Sequence, residues 1–153
     1  MMETESSRPR TVCIPARDEA DELVGLMVSK LLQRAGQDAW AVPIGSVSTM
    51  LDRVEQLEAH IVCVSALPPF AAGQARSLCR QLRRRLPNVT IVLGLWDFPG
   101  GVAKAQERVG VGCADMVGTA LAQIVSVIAE RKVPISGRVD TIQPRDVELR
   151  TAP

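Results

Sequence analysis

The sequence predicts a doubly wound α/β fold: a five-stranded parallel sheet of order 2-1-3-4-5 with helices on both faces. Short runs of β-branched and aliphatic residues alternate five times with longer segments of helical periodicity. The connections between them are short, as in βαβ units. The run Ile61-Val62-Cys63-Val64 is continuously apolar and β-branched but for one cysteine, as expected of a strand buried on both faces. It stops at Ser65-Ala66-Leu67-Pro68-Pro69, before a helix opens near Phe70. In open parallel sheets ligands bind outside the carboxyl ends of the strands, where the winding direction reverses. This central strand is therefore the expected bearer of a site.

Residues 1–10 are polar and are expected to be a disordered N-terminus. A first strand covers 11–14, and Asp18 is a good N-cap for a helix running to about residue 34. In that helix Leu23, Leu26, Met27 and Leu31, with Val24 and Leu32 beside them, repeat at helical spacing and form the expected inner stripe. Gly36 ends it. Residues 38–43 form a second strand with Trp40 and Val42 on one face. Ser46 or Ser48 opens a second helix, with Met50, Leu51, Val54 and Leu57 inward. The third helix, 70–86, turns Leu78, Cys79, Leu82 and Leu86 inward and carries Arg76, Arg80, Arg83, Arg84 and Arg85 on its other face. Strand four covers 90–95 and a short helix covers 102–109. Strand five is expected at 113–117, and Thr119 is the expected cap of a last helix to about 132. Residues 133–153 show no helical stripe and are expected to be a tail, leaving one α/β domain over 11–132.

The composition narrows the function. A 153-residue chain with 46% hydrophobic but only 3% aromatic residues must build an aliphatic core. A net charge of +1 argues against a nucleic-acid partner, which calls for a basic excess. Four cysteines without CxxC spacing, most of them in or beside predicted strands, read as reduced core residues rather than a zinc site or disulfides. No apolar run approaches the roughly 20 residues of a membrane span. A soluble, cytoplasmic chain is the expectation, with no membrane insertion of its own.

The crevice is expected to be lined by the loops after strands one, three, four and five. Arg17, Asp18, Glu19 and Asp21, with Glu22, open the first helix. Acids there interact with the helix macrodipole for about 0.3–1 kcal/mol each, or form a site for a cation or basic partner. Either way they repel a phosphate, which needs glycines and free backbone N–H groups. A phosphoacceptor receiver would need an aspartate at the end of strand three and a lysine after strand five. Ser65 and Val117-Gly118-Thr119 stand there instead. The single histidine, His60, lies at the amino end of strand three, away from Ser65, so no nucleophile–base pair forms. Trp96 and Phe98, in the loop after strand four, can cover a flat ligand or pack onto their own domain.

Ser65-Ala66-Leu67 after strand three and Gly94 after strand four resemble the cobalamin-binding domain across about residues 11–130. That family carries Asp-x-His-x-x-Gly after strand one, Ser-x-Leu after strand three and Gly-Gly after strand four. Ser65 and Leu67 match the second motif, which in the family lies along the nucleotide tail of the cofactor. Gly94 matches the first glycine of the third, with Leu95 replacing the second. Pro15, Arg17 and Ala20 stand where the Asp, His and Gly of the first motif would, so the resemblance supplies no lower axial ligand for cobalt. A second resemblance, across 13–22, 64–69 and 92–96, is to the soluble C-terminal region of some bacterial transporters of the autoinducer-2 exporter family.

Together these imply a non-catalytic sensor or regulatory module with a degenerate cobalamin-type crevice, taking a small ligand or a protein partner. The module could be the soluble part of a membrane transporter, and could form a homodimer. The expected ligand-binding residues are Arg17, Asp18, Glu19, Asp21, Ser65, Leu67, Pro68, Gly94, Trp96 and Thr119, with no catalytic or metal-ligating residue assigned. The cofactor is left open, cobalamin being the one considered. Alternatives are a small-molecule enzyme using the crevice carboxylates and Ser65, a histidine-independent cobalamin binder, or an oligomerising domain.

Overall fold

The computed structural model describes residues 9–68, 71–110 and 112–130. Its elements in order are β1 (Arg10–Pro15), α1 (Glu19–Arg34), β2 (Asp38–Ala41), α2 (Val47–Gln56), β3 (Ile61–Ala66), α3 (Ala71–Arg85), β4 (Thr90–Leu95), α4 (Gly101–Val109), β5 (Met116–Gly118) and α5 (Leu121–Glu130). The strands form one parallel sheet of order β2-β1-β3-β4-β5. This is the predicted fold class. Every residue of β3 and β4 is buried, as their unbroken apolar runs require.

The two faces differ in bulk. Val12, Ile14, Val62, Val64, Ile91 and Leu93 pack against α2, α3 and α4 through Met50, Val54, Leu78, Leu82 and Ala105. Cys13, Ile61, Cys63, Val92 and Met116 face the other way, against α1 and α5 through Val28, Leu32, Ile124 and Ile128. All four cysteines are buried and free. Cys13 and Cys63 are register partners on adjacent strands.

Local signals placed the helix ends. Asp18 accepts the Asp21 N–H at 3.1 Å as N-cap of α1, and Gly36 follows its C-cap at φ +84°. Ser46, rather than Ser48, caps α2 by accepting from the Thr49 N–H at 3.1 Å. Side-chain ties add to these. Asp115 accepts from the Arg83 guanidinium at 2.7 Å and the Ile91 N–H at 2.8 Å, joining α3 to β4. Arg85 pairs with Asp52 and Glu55 of α2. The arginine face of α3 is thus partly committed to structural contacts.

Several expected boundaries move. β1 begins at Arg10, inside the stretch read as disordered, because Arg10 donates to Asp38 at 2.8 Å and its N–H donates to His60 Nδ1 at 3.0 Å. His60 is thereby half-buried and partnered. β2 ends at Ala41, two residues short of Pro43. β5 is Met116–Gly118 rather than 113–117, since Asp115 turns aside to meet Arg83. Thr119 does not cap α5. Ala120 stands at that position, its carbonyl accepting the Ile124 N–H at 3.2 Å. The expected tail at 133–153, and Pro69 and Phe70, lie outside the described residues.

The largest correction concerns α1. Leu23, Leu26, Met27 and Leu31, the expected inner stripe, are exposed. The buried face is Asp21, Gly25, Val28, Ser29 and Leu32. The layer between α1 and the sheet already holds Trp96, Ile124 and Ile128, so the helix turns its thinner side inward. A Cβ on Gly25 would lie 3.6 Å from the Cys13 Cβ and 3.8 Å from Ser65 Oγ, which shows how near the backbone comes.

Candidate functional site

The site is built on one row of the sheet. Register aligns Pro15 with Ser65, Ser65 with Gly94, and Gly94 with Gly118, across β1, β3, β4 and β5. Backbone bonds extend the row past the strand ends. Ala16 N–H donates to Ser65 O at 2.9 Å, Trp96 N–H to Ala66 O at 3.1 Å, and Asp97 N–H to Thr119 O at 2.8 Å. The floor of the crevice is therefore rigid.

Two glycines in that row let side chains lie flat against the sheet. A Cβ on Gly94 would meet the Trp96 ring at 2.2 Å, and one on Gly118 would meet Ile124 at 2.6 Å. Trp96 is two residues beyond Gly94 and so shares its face. Its indole folds back over the bare glycine and is only 4% exposed. Of the two roles expected for Trp96, covering a ligand or packing onto its own domain, it takes the second, packed beneath α1 and α5 as part of the core. Phe98 is half-buried against the opposite core cluster. With Pro68, Pro99, Lys104, Glu107 and Arg108 it lines a surface recess of about 400 Å³.

The four acids after β1 have separate fates. Asp18 and Glu19 are exposed, as is Arg17, whose guanidinium lies 4.0 Å from Asp18. Glu22 accepts the Ile44 N–H at 2.8 Å and holds the loop after β2. Asp21 is 1% exposed, and its Oδ1 accepts the Leu67 N–H at 2.8 Å. Burial pushes the Asp21 carboxyl above the usual carboxylate range, and the charge of Asp18 adds to this, against the lowering effect of the Leu67 N–H. Asp21 thus clamps the first turn of α1 onto the end of β3.

Three buried polar atoms at this end of the sheet have no hydrogen-bond partner among the described residues: Asp21 Oδ2, Ser65 Oγ and Trp96 Nε1. Ser65 is fully buried and belongs to β3 rather than to the loop beyond it. Unpaired buried groups are costly, and where they gather they mark a place for a polar guest. Of the ten predicted ligand-binding residues, Asp21, Ser65, Leu67, Gly94 and Trp96 meet here. Pro68 points to the α4 side of the crevice, Thr119 sits at its β5 edge, and Arg17, Asp18 and Glu19 form its outer rim. Gly25 and Gly118 were not singled out from sequence. The signal for Gly25 was a glycine inside a helix, which commonly marks close packing.

The thiols form a second chemistry. A hydrogen bond with the neighbouring Cys63, and then burial, hold the Cys13 thiol well above its ordinary value. Cys113 is lowered to about 7 by a hydrogen bond from Cys79 and by the charges of Arg80, Arg76 and Arg83. Neither pair opens onto the crevice row. No group of three metal-ligating side chains occurs among the described residues.

No protein-family model matches the chain, and no curated protein matches it in sequence. Solved structures do match. A cobalamin-binding protein from Desulfitobacterium hafniense superposes with a TM-score of 0.63 at 20% identity, over 78% of this chain and 57% of that one. A methanol:cobalamin methyltransferase complex from Methanosarcina barkeri gives 0.61 at 14% identity, over 86% of this chain and 50% of that one. A CheY-like protein from Pseudomonas aeruginosa gives 0.55 at 15% identity, over 81% and 95%. The likeness is one of fold. The chain spans 57% and 50% of the two cobalamin-associated chains.

Proposed function

We propose that this chain is a non-catalytic regulatory module, built on the cobalamin-binding-type fold, in which protein has replaced the large cofactor. The observation that carries this reading is Trp96 lying on Gly94. Gly94 matches the first glycine of the Gly-Gly motif of the cobalamin-binding domain, and here the bare glycine surface is taken by an indole of the same chain. Asp21 Oδ2, Ser65 Oγ and Trp96 Nε1 are the polar atoms that a small polar guest, or a partner's polar side chain, would meet there. The acidic rim of Asp18 and Glu19 favours a cationic or neutral ligand over a phosphate. The resemblance to exporter C-terminal regions supports a place beside a membrane transporter. Among the described residues no helix is long and apolar enough to cross a membrane.

Calorimetry and absorbance titration with hydroxocobalamin test the reading. The expected result is no heat of binding and no shift of the cobalt-centred bands. Tight binding with a spectral change overturns it. A second reading draws on the raised carboxyl of Asp21 beside Ser65, the perturbed environment that acid–base catalysis uses. Hydrolysis of small ester or amide substrates, lost in Asp21→Asn and Ser65→Ala, would establish that reading instead.

A further inference from the structure

We infer that α1 is a self-association surface, pairing antiparallel with α1 of a second copy about a two-fold axis near Met27. Leu23, Leu26, Met27 and Leu31 are 59%, 43%, 45% and 38% exposed along one side of the helix. The opposite side, through Val28 and Leu32, is fully buried against the sheet. A helix with apolar residues on two sides has a second side to cover, and among the described residues only the first is covered. Beside the stripe, Leu26, Lys30, Gln33 and Trp40 line a groove of about 360 Å³ between α1 and the free edge of β2, which enlarges the contact.

The charges on α1 select the occupant. Glu19 lies in the exposed first turn, Lys30 lies near the carboxyl end, and Arg34 lies in the last turn. Leu23 and Leu31 are four residues to either side of Met27, while Glu19 and Arg34 are eight before and seven after it. An antiparallel mate therefore sets Leu23 on Leu31, Met27 on Met27 and Glu19 beside Arg34, each unlike pair formed twice. The macrodipoles also oppose favourably in this arrangement. A parallel mate would put like charges together. The surface is self-complementary in the manner of an isologous interface, and it shares only Glu19 with the rim of the crevice. One helix pair covers less than the roughly 800 Å² per partner of a standard interface. The dimer should accordingly dissociate on the order of micromolar.

Sedimentation velocity of the 153-residue chain across a concentration series decides the matter. The wild type should shift from monomer to dimer, and Met27→Glu should stay monomeric at every concentration while keeping its circular dichroism. Glu19→Arg and Arg34→Glu should each weaken self-association at least tenfold. An equimolar mixture of the two should recover it, since each Arg of one variant then faces a Glu of the other. A wild type that remains monomeric into the hundreds of micromolar overturns the inference. So does a dimer that the charge reversals leave intact, which would place the contact elsewhere.

Discussion

Asp21 joins a structural task and an electrostatic one in a single carboxylate. Its Oδ1 serves the Leu67 N–H while its Oδ2 has no partner among the described residues. Asp21→Ala should cost about 1–3 kcal/mol in chemical denaturation, because a buried N–H is left unpaired. Asp21→Asn keeps an acceptor and removes the buried charge. A carboxyl raised in the folded state gives stability that is full below its unfolded pKa and is lost as pH rises through the folded one. The Asn variant should therefore lose less stability than wild type as pH rises above the ordinary carboxylate range, as thermal melts across that rise would register. Trp96→Ala should cost about 3–5 kcal/mol as a core truncation, where removal of a mere surface lid would cost little. Cys113, with its thiol lowered to about 7, should be alkylated before the other three cysteines at neutral pH, as peptide mapping would reveal. The meeting of Ser65, Leu67, Gly94 and Trp96 was legible in sequence because strand ends converge in this fold. The direction of Trp96 was legible in principle, since residue 96 shares the face of residue 94 and the glycine leaves room for a ring.

At the scale of the element, α1 is where periodicity failed and the reason is physical. Its sequence holds two interleaved stripes, and bulk favoured Leu23, Leu26, Met27 and Leu31. Burial went to the smaller set because Trp96 and α5 already occupied the layer, and because Asp21 had to reach Leu67. No window confined to the helix contains that information. Neighbouring residues supply the test. Leu32→Ala, at a fully buried position, should cost about 2–5 kcal/mol, while Leu31→Ala should fall within about 0.5 kcal/mol of wild type. Denaturant titrations at dilute protein, where self-association is absent, separate the two. Helix ends were read more reliably than helix faces: Asp18, Ser46 and Gly36 act through their own side chain or backbone and need no distant partner. β5 shifted because its start depends on Asp115 meeting Arg83 and Ile91, a long-range contact.

At the scale of the whole molecule, five alternations of strand and helix were enough to give the sheet order, since parallel strands require crossovers and few arrangements satisfy them. The edge strands β2 and β5 are short, four and three residues, which limits edge-to-edge pairing. The packing of the crevice depends on atoms that meet only once the sheet is formed, and so lay beyond sequence reasoning. Trp96 at the crevice and Trp40 on the β2 edge are the only tryptophans in a chain without tyrosine. Trp40→Phe would leave one buried indole as the sole strong emitter, positioned against Gly94 with its N–H unpaired among the described residues. The protein then carries an intrinsic optical probe of its own crevice. Any guest that hydrogen-bonds that N–H or displaces the ring should shift the emission wavelength without a label.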